Sequence, residues 1–239
     1  MKGVVLAGGK GTRLYPLTYA TNKHLLPVFD RPMIFYPINT LVKAGISDIM
    51  VVTGGPHAGH FIGVLKNGKE LKVINLSYAY QENEDGICGA LRLAEDFSDG
   101  ESLCVILGDN CTDADIGGEV AKFRDGAKIF LKEVPDPERF GVPRFDKRGR
   151  IIEIIEKPKK PASKYAVTGL YFYDNTVFDK IRKLKPSKRG EFEVTDLNNL
   201  YLKEGKLDWA ELSGFWRDAG TFDTLFEVNK YWAEKGAMQ

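Results

Sequence analysis

The first residues with the means to do chemistry are Gly3 to Arg13, which read Gly-Val-Val-Leu-Ala-Gly-Gly-Lys-Gly-Thr-Arg. An apolar run that ends in Gly8, Gly9 and Gly11 describes a buried strand delivering its end to an anion. Glycines let the backbone turn sharply and bring its N–H groups against phosphate, and Lys10 and Arg13 add charge. Two familiar phosphate loops are excluded. A Walker loop needs Lys followed directly by Ser or Thr, whereas Gly11 separates Lys10 from Thr12. The dinucleotide fingerprint needs a third glycine where Leu14 stands, which disfavours an NAD-dependent enzyme. A generic anion cradle and a ligand-free turn both remain.

Further along, Lys23 lies in Asn22–Val28, close enough to fold back over the glycines, although a solvated surface is the ordinary fate of a lysine. His24 reads as a hydrogen-bonded packing residue rather than a base. Gln81 to Gly86 is a polar loop after a strand; Gln81 can offer donor and acceptor to the edge of a base, or the loop is polar because loops are wet. Asp109, in Gly108-Asp109-Asn110, follows a wholly apolar strand, the place where an α/β enzyme holds Mg²⁺ beside phosphate; a turn or cap is the competing reading. Lys157 opens a cationic run to Pro161 and lies nearest the strand end. Arg189-Gly190-Glu191 and Arg217-Asp218-Ala219-Gly220-Thr221 each precede a helix. His57 and His60 lack a companion ligand.

The elements that must carry these residues alternate. The opening strand, a helix over Pro32–Ala44 stopped by Gly45, and a strand over Ile49–Val52 form a parallel crossover. A strand over Ser77–Gln81, a helix over Gly86–Phe97 and the buried strand Leu103–Leu107 repeat it. Strand-like runs at Lys128–Val134, Gly141–Phe145, Ile151–Glu156 and Ala166–Tyr173 predict antiparallel additions, the middle two joined by a turn at Asp146–Gly149. Helices close the chain over about Val194–Lys203 and Thr221–Lys235. The fold class is α/β, Rossmann-like, with a mainly parallel mixed sheet flanked by helices. No linker interrupts residues 1–239, which read as one domain with a nucleotide half, 1–126, and a second-substrate half, 127–239.

Composition sets further bounds. With 34 Lys and Arg against 33 Asp and Glu there is no global field to attract nucleic acid or a membrane surface, so anion recognition must be local. Three unpaired-looking cysteines, Cys88, Cys104 and Cys111, argue against a disulfide framework and for a reducing cytoplasm. The start carries no signal-peptide pattern, and no apolar run nears the roughly 20 residues that span a bilayer.

Taken together, Leu6-Ala7-Gly8-Gly9-Lys10-Gly11-Thr12-Arg13-Leu14, Asn22-Lys23-His24-Leu25-Leu26-Pro27, Leu107-Gly108-Asp109-Asn110, Glu156-Lys157-Pro158 and Arg217–Thr221 resemble the sugar-phosphate nucleotidylyltransferases, most closely the glucose-1-phosphate thymidylyltransferases. The resemblance covers nearly the whole chain, in order. It implies the nucleotide-diphospho-sugar transferase fold and an enzyme that joins glucose 1-phosphate to dTTP, or to UTP in a sister activity, with Mg²⁺. Carried over by position, Leu6, Ala7, Gly8, Gly9, Gly11, Thr12 and Arg13 would hold the triphosphate and Gln81 and Gly86 the base. Asp109 and Asp218 would hold the metal. Asn110, Gly141, Glu156, Lys157, Tyr171 and Arg189 would line the sugar-phosphate pocket, and Arg13, Lys23, Asp109 and Lys157 would serve catalysis. A homo-oligomer is left open.

Two departures bear on the base. Ile87-Cys88-Gly89 stands where the family pattern has Leu-Ala and a larger polar residue, and Cys111-Thr112 replaces an apolar-aromatic pair. The chain also stops soon after its last helix, so the accessory nucleotide site that longer thymidylyltransferases build from further helices is not expected here.

Overall fold

Val4, Val51, Val105 and their neighbours, buried on both faces, become adjacent strands in the computed structural model, which describes residues 1–236. In chain order the first half contains β1 (Lys2–Ala7), the short ribbon β2 (Pro27–Val28) and β3 (Arg31–Pro32), α1 (Phe35–Lys43), β4 (Asp48–Gly54) and α2 (Ala58–Leu65). It continues with β5 (Asn75–Gln81), α3 (Ile87–Arg92), α4 (Glu95–Ser98), β6 (Leu103–Leu107), β7 (Asn110–Thr112) and α5 (Gly117–Lys122). The second half adds β8 (Ala127–Glu133), β9 (Gly141–Phe145), β10 (Ile151–Glu156), β11 (Tyr165–Tyr173), α6 (Val177–Ile181), α7 (Val194–Lys203), β12 (Leu207–Glu211), β13 (Trp216–Asp218) and α8 (Phe222–Lys235).

Seven strands form the main sheet in the order β12-β8-β11-β6-β1-β4-β5. β6, β1, β4 and β5 pair in parallel, so Ala7, Leu107 and Gln81 all end at one edge. β11 runs antiparallel to both β6 and β8, and β12 is parallel to β8. The expected mixed, mainly parallel sheet is therefore present. One cluster of apolar side chains fills the face under α1 and α2, and a second fills the face under α3, α6 and α7. A third, around Leu14, Tyr36 and Trp232, seats α8 beside the β7–β13 ribbon.

Four local expectations change. The strands over 141–145 and 151–156 do not join the main sheet; β9 and β10 pair only with each other. Asn199 of α7 caps the outer side of β10, accepting from Ile154 N and donating to Ile154 O, and Pro143 offers β9 no N–H. The helix over 86–97 breaks in two, because Leu93 N and Ala94 N donate three residues back, to Ala90 O and Leu91 O, and tighten the turn. α1 starts at Phe35 rather than Pro32, since Arg31 and Pro32 are used in pairing with Val28 and Pro27. β12 was not anticipated from the sequence.

Candidate active site

At the carboxyl edge of the parallel strands two clefts adjoin. One, of about 350 Å³, is lined by Leu6, Gly8 and Gly9 from the β1 end, Gln81, Gly86 and Ile87 from the β5–α3 loop, and Lys23. The other, of about 230 Å³, is lined by Asn110, Gly141, Glu156, Gly169, Tyr171, Thr195 and Asp218. Arg13, Asp109, Lys157, Ile87 and Leu107 line both.

Asp109 is buried directly after β6, and its Oδ2 takes a hydrogen bond from Lys23 Nζ at 2.6 Å. Burial pushes the Asp109 carboxyl up, but the Lys23 ammonium and the hydrogen bonds from Lys23 and Asn110 outweigh it and hold the group well below the usual carboxylate range. Lys23 sits in a 3₁₀ turn, Lys23–Leu25, capped by Asn22, whose side chain accepts from His24 N. Gly11, at φ 63°, lies against this turn: an added Cβ would stand 3.0 Å from Lys23 Cβ. His24 is buried and its Nδ1 lies 2.7 Å from Asn22 Oδ1. Burial pushes its imidazole down to about 3, so it stays neutral and packs, as its sequence context suggested.

The second carboxylate arrives through β13, which pairs antiparallel with β7 and sets Asp218 opposite Asn110. Ala219 N donates to Asp109 O at 2.8 Å, locking the two chain segments together. Burial, and after it the charge of Asp109, push Asp218 up to about 6 against the pull of nearby arginines. A buried and a partly buried carboxylate in repulsion fit Mg²⁺, which is usually bound by one or two carboxylates together with waters and substrate phosphates. Arg139, whose Nη2 lies 3.2 Å from Asp218 Oδ2, partly offsets that charge and is itself held by Asp136 at 2.7 Å.

The raised Asp218 value has a consequence for stability. Its folded value exceeds the ordinary carboxylate value of 3.8, so the folded state binds the proton better and loses stability as pH rises from about 4 through 6. In metal-free protein Asp218→Asn should therefore melt higher than wild type at pH 7.5, by on the order of 2 kcal/mol or a few degrees. The two melting temperatures should converge near pH 4; a gap that ignores pH would assign the effect to packing.

The other predicted residues divide by position. Backbone N–H groups of residues 9–13 have no hydrogen-bond acceptor among the described residues, and of these residues Gly9 and Arg13 line the larger cleft. Ala7, Gly11 and Thr12 line neither cleft; Ala7 is buried in β1 and Thr12 is exposed. Gln81 Oε1 lies 2.7 Å from where a Cβ on Gly8 would be, so the end of its side chain occupies the space that glycine leaves. Lys157 has φ 43°, a left-handed turn after β10 that places it at the junction. Glu156 Oε2 accepts from Thr195 Oγ1 at 2.6 Å. Arg189 lines the larger cleft rather than the smaller, and it pairs with Glu193 at 2.9 Å. Lys10 pairs with Glu84 at 3.1 Å on the surface and lines neither cleft.

Sequence reasoning missed Arg139, Thr195 and Trp216. Trp216 Nε1 and Gly169 N both donate to Asn110 Oδ1, which fixes Asn110 at the cleft floor. The segment around Arg139 gave no periodic signal, and Thr195 reads in sequence as an ordinary helix-start residue. The rings of His57 and His60 lie 5.1 Å apart and tilted by 38°, and among the described residues no cluster of three or more metal-ligating side chains is found.

The nucleotidyl transferase family model matches residues 2–235. The chain belongs to the nucleotidyl transferase family. It is 44% identical over 237 residues to the glucose-1-phosphate thymidylyltransferase of Neisseria meningitidis serogroup A, covering 97% of this chain and 82% of that one. Against the Mycolicibacterium smegmatis glucose-1-phosphate thymidylyltransferase the identity is 43% over 236 residues, with 97% and 82% covered. A solved Bacillus anthracis structure, assigned as a glucose-1-phosphate thymidylyltransferase and holding sucrose, superposes with a TM-score of 0.94 at 49% identity. That likeness covers 100% of this chain and 97% of that one. A UDP-glucose pyrophosphorylase solved with UDP-glucose shares the fold at a TM-score of 0.83 and 24% identity, covering 98% of this chain and 99% of that one.

Proposed function

We propose that this nucleotidyl transferase is a glucose-1-phosphate thymidylyltransferase, joining glucose 1-phosphate to dTTP and releasing pyrophosphate. The observation that carries the reading is the pair of clefts meeting at Arg13, Asp109 and Lys157. A nucleoside triphosphate in the larger cleft and a sugar phosphate in the smaller would bring their phosphates together there.

The sugar phosphate oxygen attacks the α-phosphorus in line. A new P–O bond forms as the bond to the β-phosphate breaks, and the electron pair leaves on pyrophosphate. With a second pKa near 6 the sugar phosphate is largely dianionic at neutral pH, so no general base is required. This suits a site whose nearest histidine, His24, stays neutral and is committed to Asn22. Catalysis then rests on positioning and relief of charge, with Arg13, Lys23 and Lys157 as the cations and the N–H groups of Gly9 and Arg13, free among the described residues, beside the triphosphate. Asp109 and Asp218 would hold Mg²⁺, which would offset the charge gathering on the reacting phosphates. Glu156, Gly141, Tyr171 and Asn110 would meet the sugar phosphate. Lys157 and Arg189 place second-half residues in the nucleotide cleft, so the two halves of the chain share both substrates. Free, buried Cys88, Cys104 and Cys111 suit a reducing cytoplasm.

Pyrophosphate release measured with dTTP, UTP and dCTP against several sugar 1-phosphates tests this. The expected best pair is dTTP with glucose 1-phosphate. A clear preference for UTP would replace the thymidylyl assignment with the uridylyl one, and silence with every pair would overturn the reaction.

A further inference from the structure

The loop that follows β5 contains a charge which the reading above does not use. Asp85 folds back over the start of α3, and its Oδ1 accepts a hydrogen bond from Gln81 Nε2 at 2.8 Å. It can do so because residue 89 is glycine: a Cβ there would lie 2.0 Å from Asp85 Oδ1 and 2.2 Å from its Cγ. The carboxylate occupies the space of the side chain that Gly89 lacks. Arg92 Nη2, 3.7 Å from Asp85 Oδ2, balances its charge from the far side.

This contact decides which end of the Gln81 amide faces the cleft. A carboxylate only accepts, so the amide nitrogen must turn to it. Gly86 O, 3.4 Å from Nε2, is a second acceptor on the same side. Oε1 is left against Gly8, on the wall of the larger cleft. An acceptor fixed in that place matches a base edge that donates. Thymine and uracil carry a donor at ring nitrogen N3, where cytosine presents a lone pair.

We propose that Asp85, in the space left by Gly89, is a positioning residue for base selection: it pins Gln81 with Oε1 toward the base, so that the site takes pyrimidine-2,4-diones and rejects 4-aminopyrimidines. The inference rests on the larger cleft receiving the nucleotide base. It assigns Asp85 no contact with substrate; its effect passes through Gln81. A site built to pair a donor discriminates strongly against an analogue lacking it, because a buried acceptor is then left facing another acceptor.

Steady-state kinetics with dTTP, UTP and dCTP on Asp85→Ala, Asp85→Asn and Gly89→Ala test it. Each variant frees the Gln81 amide to turn over, the last by driving the carboxylate from its place. The ratio of kcat/KM for dTTP to that for dCTP should fall about tenfold or more, through KM, with kcat for dTTP little changed. Adding Gln81→Glu to Asp85→Ala restores an acceptor whichever way the side chain turns, and should recover the discrimination against dCTP. A folded Asp85→Ala or Gly89→Ala protein whose ratio stays within twofold of wild type overturns the inference. So does a uniform loss of kcat on all three nucleotides, which marks a structural role. Wild type inactive with both dTTP and UTP would instead remove the functional reading beneath it.

Discussion

Replacing Asp109 with asparagine should lower kcat by on the order of 10³-fold while leaving the fold in place. Asparagine keeps the shape, and its Oδ1 can still accept from Lys23, but the charge is gone. The loss acts twice, on a proposed ligand for the divalent cation and on the partner of Lys23, which sits 2.6 Å away. Removing one preorganised electrostatic contact commonly costs 10²–10³ in rate, and here two are coupled through one side chain. Raising Mg²⁺ should recover part of the metal occupancy and little of kcat. Stability gives a separate check. The folded Asp109 carboxyl lies below its ordinary value of 3.8, so its ionisation stabilises the protein above about pH 4 and that contribution is lost as pH falls further. Wild type should hence melt above Asp109→Asn at pH 7 and lose the advantage on acidification, the opposite trend from Asp218→Asn. A variant with unimpaired turnover at saturating substrate would remove Asp109 from the reacting centre.

These two carboxylates are neighbours through a contact that no local pattern reveals. Asp109 was legible because it ends an unbroken apolar strand, and the glycines of 8–11 were legible because a strand end crowded with glycine has few structural uses. Asp218 was legible as an acidic residue just before a helix that could reach a metal, and the resemblance then named it as a metal ligand. What brings it to Asp109 is the pairing of β7 with β13, two strands of three residues each, too short for periodicity to register. The parallel order of β6, β1, β4 and β5 followed from alternating strand and helix. The separate β9–β10 ribbon did not, because its independence is enforced by Asn199, a residue of a helix some 45 positions later. Asp85 was hidden for a related reason: sequence marked Gly89 as a departure from the family pattern, but not that the space it leaves is filled by the Asp85 carboxylate.

Substituting Lys23 by methionine should produce the second large effect, a fall in kcat/KM of on the order of 10²–10³ carried mainly by kcat. The side chain keeps its length and apolar stem, so packing against Gly11 survives. What disappears is the only cation bonded to Asp109 among the described residues. Asp109 and Asp218 are then left as a buried and a partly buried carboxylate with less to hold them, and metal-free protein should lose on the order of 2 kcal/mol at pH 7. That double role makes the variant informative. A divalent cation bound between the carboxylates can replace the charge that Lys23 supplied to Asp109, so Mg²⁺ should restore the melting temperature. It cannot replace an ammonium on the wall of the larger cleft, so turnover should stay low even when the metal site is saturated. Melting and kcat measured across one Mg²⁺ titration therefore separate two uses of a single lysine. Recovery of both together would mean that Lys23 only stands in for the metal, whereas recovery of stability alone makes it a group that acts on the reacting phosphates.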